Sequence, residues 1–108
     1  MTDATIYKDA EGVIKGFSIS GHAGYAYSGE DIVCSAISIL TTTTVNSVEQ
    51  FTSDLFSVEV DEESGRMDFS FTDEPSSESK LLLESMVLGL RMISNEYTDF
   101  IRINIKEV

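Results

Sequence analysis

The sequence predicts an α/β (α+β) fold: one domain of the order ββαββαβ, with two helices packed on a mixed sheet. The chain has 108 residues, which is the length of a single domain. Apolar residues alternate with polar ones in several short runs, as in half-buried strands. Two longer runs instead repeat apolar residues every three or four positions, as in amphipathic helices. We therefore expect residues 1–108 to form a single domain.

The N-terminal segment predicts a β-hairpin. Ala4–Lys8 is a short strand and Asp9–Gly12 is a turn, because a glycine-containing turn between two β-forming runs is typical of hairpins. The second strand is Val13–Ser20, and the residues predicted on its buried face are Val13, Phe17 and Ile19. Gly21–Gly29 contains three glycines and is predicted to be a loop.

A long helix is predicted from Asp31 to about Ser53. Its predicted buried stripe consists of Val33, Ile37, Leu40, Thr44, Val48 and Phe51. The run Thr41–Thr44 has low intrinsic helix propensity, so tertiary packing must hold it. The uncharged run Ile32–Val48 falls short of the roughly 20 apolar residues that cross a membrane. We expect a helix buried within a fold and no membrane partner.

The second half of the chain predicts a hairpin, a helix and a final strand. Alternating runs at 56–60 and 67–71 flank a turn at 61–65. Pro75–Ser77 suits the start of a helix, Asn95 can stop it, and Phe100–Lys106 alternates again. Because Leu81–Ile93 is apolar on most sides, this helix is either deeply buried or also meets a partner chain.

Charge and composition restrict the partners. The net charge is −12, from 19 acidic and 7 basic side chains, so binding to the phosphates of nucleic acid is disfavoured. The acidic surface either attracts a basic partner or only keeps the protein soluble. One cysteine excludes an internal disulfide, and the N-terminus has no signal-peptide pattern, so we expect a cytoplasmic protein.

The only histidine and the only cysteine, His22 and Cys34, flank the predicted loop. The helix is expected to start near Ser28 or Gly29, since residues 28–31 resemble a capping box. Cys34 then lies in the first two turns, where helix N–H groups and a nearby imidazole would favour a thiolate. A buried, inert cysteine is the alternative, because most free cysteines are structural.

Asp31, Cys34 and Ser38 are spaced to share one helical face. Asp31 either orients His22 as a third catalytic group or caps the helix. Ser38 either supports the site or is a small residue in a packed helix. One His and one Cys are too few for a structural zinc site, and no phosphate-loop or C-x-x-C spacing is present, so we predict no metal and no cofactor.

Residues 20–38, SGHAGYAYSGEDIVCSAIS, closely resemble the signature of the ribosomal-processing cysteine proteases (Prp) of Firmicutes and related bacteria. That signature has Gly-His-Ala, a loop, Gly-x-Asp-Ile-Val-Cys, small residues and a Ser. The matching elements here are Gly21-His22-Ala23, Gly29–Cys34 and Ser38. The element order and length also suit this family over nearly the whole chain.

The resemblance implies a cysteine endopeptidase domain with Cys34 as nucleophile and His22 as base. Family members remove a short N-terminal extension from a basic large-subunit ribosomal protein, L twenty-seven, cutting after a Phe in a hydrophobic tail motif. The family is homodimeric, which suits the apolar second helix. Under this hypothesis the acidic surface attracts the basic ribosomal precursor.

The glycine-rich segment would then be a substrate loop. Its residues from Ala23 to Ser28 would have to move to admit a peptide, with Gly24 and Gly29 as hinges. Tyr25 and Tyr27 either contact the substrate or only cover the empty site. The residues assigned to this loop are Gly21, Ala23, Gly24, Tyr25, Tyr27 and Gly29.

Two other functions remain open at this point. The chain could be a non-catalytic module whose acidic face docks a basic ribosomal or assembly protein. It could also be a thiol-dependent transferase or a redox sensor. Fast alkylation of Cys34 that depends on His22 would favour the protease over the binding module.

Overall fold

A mixed sheet carries two helices on one face. The computed structural model describes residues 1–21 and 28–108, without the side chains of residues 28–31. The elements are β1 Thr2–Lys8, β2 Ile14–Ser20, α1 Ser28–Phe51, β3 Phe56–Asp61, β4 Arg66–Phe71, α2 Ser77–Glu96 and β5 Ile101–Glu107. The predicted order ββαββαβ and the single α+β domain are confirmed.

The five strands lie in the order β3-β4-β2-β1-β5. Strands β1 and β5 are parallel, and the other neighbours are antiparallel, so the sheet is mixed as predicted. The helices pack against each other and bury one face of β2, β1 and β5. The opposite face carries polar side chains such as Tyr7, Ser18 and Asp68, which are joined by hydrogen bonds.

A β-bulge changes the predicted phase of β2. Tyr7 pairs with Gly16, but the next residue of β1, Lys8, pairs with Ile14. Lys15 is therefore the extra residue, and such an insertion moves the preceding residues to the other face. Ile14 is buried in the core, whereas the predicted Val13 is only half-buried and precedes the strand.

Helix α1 begins at Ser28, as the capping pattern indicated, three residues before the predicted helical run. Gly29, which we assigned to the loop, is the second residue of the helix. Helix α1 ends at Phe51, about two residues before the predicted end. The hinge proposed at Gly29 therefore lies within regular helix.

The buried stripe of α1 differs in part from the prediction. Phe51 was predicted to be buried but is 77% exposed. The stripe instead passes through Thr41 and Val45 and continues from Val48 to the half-buried Thr52, because a four-residue step keeps to one face. The predicted positions that are buried are Val33, Ile37, Thr44 and Val48, while Leu40 is half-buried.

The threonine run is compatible with burial because its hydroxyls bond within the helix. Thr41 Oγ1 donates to the Ile37 carbonyl at 2.8 Å, and Thr44 Oγ1 donates to the Leu40 carbonyl at 2.8 Å. By length and composition, Ile32–Phe51 is long and apolar enough to cross a membrane, contrary to our expectation from the sequence. A helix whose stripe packs in a protein core passes the same test, so this is weak evidence for a span.

Helix α2 is tied at its start to the segment that follows α1. Ser76 is the N-cap and accepts a hydrogen bond from the Ser79 backbone N–H at 3.3 Å. Asp54 accepts hydrogen bonds from the Ser76 backbone N–H at 3.0 Å, from Ser76 Oγ at 2.5 Å and from the buried Ser79 Oγ. These bonds hold the pKa of Asp54 below its usual range.

Only one face of α2 is buried, although its sequence is apolar on most sides. The buried residues are Ser79, Leu83, Met86, Val87 and Leu90. Leu81, Leu88 and Met92 are exposed, and they form what we call the outer stripe of α2. The helix ends at Glu96 with Tyr97 as its C-cap, slightly beyond the predicted stop at Asn95.

Strand β3 is the edge of the sheet that the helices do not cover. Val58 and Val60 are 38% and 59% exposed, although they point to the helix-bearing face. Their neighbours on β4, Phe69 and Met67, are more buried. An open strip of apolar sheet is thus left beside α1, and it adjoins the candidate site.

Candidate active site

Cys34 lies in the second turn of α1 and is a half-buried free thiol. The buried stripe of α1 begins at Val33 and Ile37, and its packing against the core fixes the rotation of the helix about its axis. Cys34 lies at the edge of this stripe. Cys34 is therefore held next to the core without being enclosed by it. A structural cysteine would more often be fully buried, so this exposure favours a reactive role.

Cys34 opens into a cavity of about 560 Å³ between α1 and the β3–β4 hairpin. The wall on α1 is formed by Cys34, Ile37, Ser38, Thr41, Thr42, Val45 and Asn46. The sheet contributes the apolar side chains of Ile19, Val58, Val60 and Met67. Thr2, Gly21 and the residues Asp61, Glu62, Gly65 and Arg66 of the hairpin also line it. A cavity of this size and mixed lining suits a peptide or small ligand.

Gly21 connects β2 to the segment that precedes α1. Its φ is +80°, a conformation that L side chains rarely adopt, and a Cβ here would lie 2.7 Å from the Met1 carbonyl oxygen. The buried Thr2 donates its Oγ1 proton to the Gly21 carbonyl at 3.2 Å. The chain therefore leaves β2 in a fixed direction, at the rim of the cavity that contains Cys34.

The unpaired N–H groups and the macrodipole at the start of α1 lie farther from Cys34 than we expected from the sequence. The first N–H groups of a helix lack intrahelical acceptors, and α1 begins at Ser28, six residues before Cys34. The N–H of Cys34 falls after them and continues the helical ladder, and the macrodipole effect fades within the first turn.

The structure describes only some of the predicted site residues. Ser38 is exposed and lines the cavity one turn after Cys34, and Gly21 lies at the rim. His22, Ala23, Gly24, Tyr25 and Tyr27 lie outside the described residues. The backbone of Asp31 belongs to the first turn of α1, but its side chain is not described, so both predicted roles of Asp31 stay open.

The hairpin end of the cavity carries net negative charge. Arg66 is the basic residue among the described lining residues. Its guanidinium donates to Asp68, with Nε–Oδ2 at 2.7 Å and the second contact at 3.0 Å. This pair, with help from the Ser18 hydroxyl, lowers the pKa of Asp68. Because Arg66 is engaged there, Asp61 and Glu62 are left to set the charge at this end.

A family model described as "Cysteine protease Prp" matches residues 1–102 of the chain. The chain belongs to this family. A ribosomal processing cysteine protease Prp of Staphylococcus aureus is 30% identical over 98% of this chain and 100% of the relative. The corresponding protein of Bacillus subtilis is 29% identical over 95% of this chain and 96% of its own length. The resemblance at residues 20–38 is thus confirmed at the level of the family, and the chain is a cysteine protease.

Solved structures of the family have the same fold. The crystal structure of an essential ribosomal processing protease Prp from S. aureus with a substrate peptide has a TM-score of 0.92 at 29% identity. It covers 98% of this chain and 100% of that chain. A second S. aureus structure, with a covalently linked product peptide, has a TM-score of 0.89 at 30% identity and the same coverage.

Sequence reasoning missed the half of the cavity that lies outside residues 20–38. Val58 and Val60 were predicted as an ordinary strand, and Thr42 and Asn46 received no role. A four-residue spacing from Cys34 through Ser38 and Thr42 to Asn46 is visible in the sequence and could have indicated a shared helical face. That β3 is an uncovered edge could not be read from its own pattern.

Proposed function

We propose that this protein is the cysteine endopeptidase that removes the N-terminal extension of large-subunit ribosomal protein L twenty-seven, using Cys34 and His22. The observation that carries the proposal is the half-buried Cys34 thiol, which faces a cavity of about 560 Å³. The names of the relatives, which describe ribosomal processing, support the substrate class. The substrate and product peptides in the S. aureus structures support peptide binding at this fold.

In the proposed reaction the Cys34 thiolate attacks the carbonyl carbon of the scissile peptide bond. His22, as imidazolium, gives its proton to the leaving amine when the C–N bond breaks, which leaves a thioester on Cys34. Water then attacks the thioester, and His22 takes one of its protons as the C–S bond breaks and the thiolate is restored. The second proton of the water passes from the new carboxylic acid to solvent, so the product leaves as a carboxylate. The covalently linked product peptide in one S. aureus structure is consistent with a covalent route in that protein.

Two further residues are assigned supporting roles. Asp31 orients His22 or caps α1, and Ser38, one turn after Cys34, holds a backbone group or the His22 imidazole. The segment from Ala23 to Ser28, including Gly24, Tyr25 and Tyr27, is proposed to fold over the bound peptide. Gly21 fixes the base of this segment through its positive φ.

The proposed setting is a cytoplasmic homodimer that meets a basic ribosomal precursor. The net charge of −12 favours encounter with such a substrate. The outer stripe of α2, Leu81, Leu88 and Met92, is exposed apolar surface that a second copy would cover. No cofactor or metal is needed for this chemistry.

The deciding experiment mixes the purified protein with the ribosomal L twenty-seven precursor and locates any new N-terminus by mass spectrometry. We expect one cut, abolished by Cys34→Ala and by His22→Ala. Thr43→Ala, an exposed change on α1 away from the cavity, is the control and should cut normally. Failure of the folded wild type to cut an authentic precursor would overturn the proposed substrate, and a cut that survives either substitution would overturn the proposed Cys34–His22 pair.

A second readout separates a catalytic thiol from a structural one. Cys34 should react with iodoacetamide at neutral pH within minutes, and His22→Ala should slow this reaction at least about tenfold because the thiolate fraction falls. Equal rates in both proteins would contradict the proposed pair. Accumulation of a stable sulfenic acid without peptide cleavage would instead indicate a redox sensor.

A further inference from the structure

Gly21 directly precedes His22 in the sequence, and its carbonyl group belongs to the peptide bond that joins the two residues. The Thr2 hydroxyl donates to this carbonyl oxygen, with the two oxygen atoms 3.2 Å apart. Thr2 and Gly21 also line the cavity that contains the Cys34 thiol. A side chain of β1 thus binds the backbone next to the proposed base, at the rim of the candidate active site.

This hydrogen bond lies just beyond the backbone pairing of β1 with β2. The register of the two strands ends at the pair Asp3–Ser20. Thr2 and Gly21 are the next residues on the two strands, and the chain leaves β2 at Gly21, where φ is +80°. Beyond the end of the ladder, the side chain of Thr2 therefore continues the connection between the two strands.

Thr2 is anchored in the sheet, so it can serve as a fixed point for its neighbour. Its backbone N–H donates to the Phe100 carbonyl at 2.9 Å, and it pairs with Ile101 of β5. Thr2 is only 4% exposed, whereas Gly21 is exposed. Water competes weakly for a buried hydroxyl, which strengthens its hydrogen bond. The bond thus ties a surface residue to one that two other strands hold in place.

The position of this bond gives it a direct effect on the residue that follows. A peptide group is planar, so a constraint on the Gly21 carbonyl oxygen is a constraint on the whole peptide group that leads into His22. Fewer free torsions then separate the sheet from the imidazole. This lowers the entropy cost of bringing the imidazole to the Cys34 thiol.

We propose that Thr2 is a positioning residue for the protease reaction. By holding the Gly21 carbonyl, its hydroxyl raises the fraction of molecules in which His22 is paired with Cys34. Thr2 transfers no proton itself and acts through Gly21 and His22. The proposal rests on the Cys34–His22 pair of the proposed function, and it adds a residue of β1 that lies outside residues 20–38.

The test measures alkylation of Cys34 by iodoacetamide, which has no peptide chain, so changes in substrate binding cannot alter the rate. Thr2→Val keeps the shape of the side chain but removes the donor. We expect alkylation at pH 7 to slow about 3- to 10-fold, the usual effect of one lost hydrogen bond. The pH at which the rate is half its maximum should rise, because fewer thiolates have an imidazolium partner. Thr2→Ser keeps the hydroxyl and should stay within about twofold of the wild type.

A double-mutant cycle shows whether Thr2 acts through His22. In the His22→Ala background, Thr2→Val should have no further effect on alkylation, because the group that it positions is absent. Thr5→Val is the matched control, since Thr5 lies on the same strand but on the opposite face of the sheet. Its alkylation rate should equal that of the wild type. A loss from Thr2→Val that is equally large with and without His22 would overturn the positioning role.

Turnover supplies a second readout. With any peptide that the wild type cuts, Thr2→Val should lower kcat by a factor similar to that for alkylation and leave KM nearly unchanged. A loss confined to KM would mean that Thr2 contacts the substrate instead. All variants are first compared by thermal unfolding. Should Thr2→Val not fold, Thr2→Ala, which removes the same donor, takes its place with the same expected results.

The outcomes separate this proposal from the function beneath it. If His22→Ala is alkylated as fast as the wild type, the Cys34–His22 pair is overturned, and the role of Thr2 with it. If His22→Ala is slow but Thr2→Val reacts at the wild-type rate, only the role of Thr2 is overturned. A slow Thr5→Val variant would also overturn that role, because the loss would then follow from any change in β1.

Discussion

The helix-bearing face of the sheet is buried at β2 but open at β3, although both strands alternate in the same way. Phe17 on β2 pairs with Phe69 on β4, which in turn pairs with Val58 on β3. The two phenylalanines are fully or almost fully buried, but Val58 is 38% exposed. A helix is about 10 Å wide and strands lie about 4.8 Å apart, so two helices cover about four strands. The fifth strand is left open.

This difference shows that one sequence pattern can build either a buried core or an exposed cavity wall. On β2 the alternating apolar residues meet α1 and α2 and stabilise the fold. On β3 similar residues line the cavity, and no helix covers them. Loss of a side chain should therefore cost folding free energy on one side of the sheet and peptide binding on the other.

The largest predicted effect is at Phe69, where the two parts of the sheet meet. Its ring lies 5.2 Å from that of Phe17, 5.1 Å from Phe56 and 5.0 Å from Phe71. Phe69→Ala should lower the free energy of unfolding by about 3 to 5 kcal/mol, measured by urea denaturation, because it leaves a cavity in this cluster.

Phe51→Ala is the matched control for this change. Phe51 is 77% exposed at the end of α1, so its removal should change the free energy of unfolding by no more than about 0.5 kcal/mol. Similar losses in both variants would mean that the aromatic cluster does not hold the two parts of the sheet together.

A smaller effect is expected at Asp54, which fixes α2 over the covered part of the sheet. Asp54→Ala removes the acceptor for Ser76 and leaves the buried Ser79 hydroxyl without its charged partner. We expect a loss of about 2 to 3 kcal/mol at pH 7. Asp73→Ala, an exposed change in the segment before α2, is the control and should cost little.

The pH dependence of this loss tests its cause. The pKa of Asp54 is lowered from its ordinary value of 3.8 in the folded protein, so its ionised form stabilises the fold above about pH 4. This contribution disappears as the pH falls through the lowered folded pKa. The stability difference between the wild type and Asp54→Ala should therefore be constant from pH 5 to 7 and shrink below about pH 4. A difference that persists undiminished at pH 2 would argue against the charge.

The order of the elements and most of their bounds could be predicted because local patterns determine them. Ser28 starts α1 as its capping pattern indicated, and Cys34 lies in the second turn as expected. The phase of β2 could not be predicted, since the bulge at Lys15 depends on pairing with Tyr7 and Lys8. Phe51 was predicted to be buried because it lies three residues after Val48. In the structure the buried stripe continues four residues after Val48, at the half-buried Thr52.

Only part of the candidate site could be predicted for a similar reason. Cys34, Ser38 and Gly21 lie in one continuous stretch of sequence, and the family signature identifies that stretch. The opposite wall comes from a hairpin more than 20 residues later in the chain. The strand order, not the pattern of β3, places it beside the thiol. Residues such as Val60 become candidates only when the sheet is assembled.

The smallest predicted effect on stability is at Val60, and it tests the comparison most sharply. Ile19, Met67 and Val60 lie in one row across the sheet, but Ile19 is 6% exposed and Val60 is 59% exposed. Ile19→Ala should therefore cost about 2 to 4 kcal/mol in unfolding free energy and Val60→Ala at most about 0.5 kcal/mol. Under the proposed function, peptide cleavage should nevertheless be slower with Val60→Ala, because Val60 lines the cavity that contains Cys34. If Val60→Ala instead destabilises the protein as much as Ile19→Ala, something covers β3 in solution, and a loss that grows with protein concentration would identify it as a second copy of this chain.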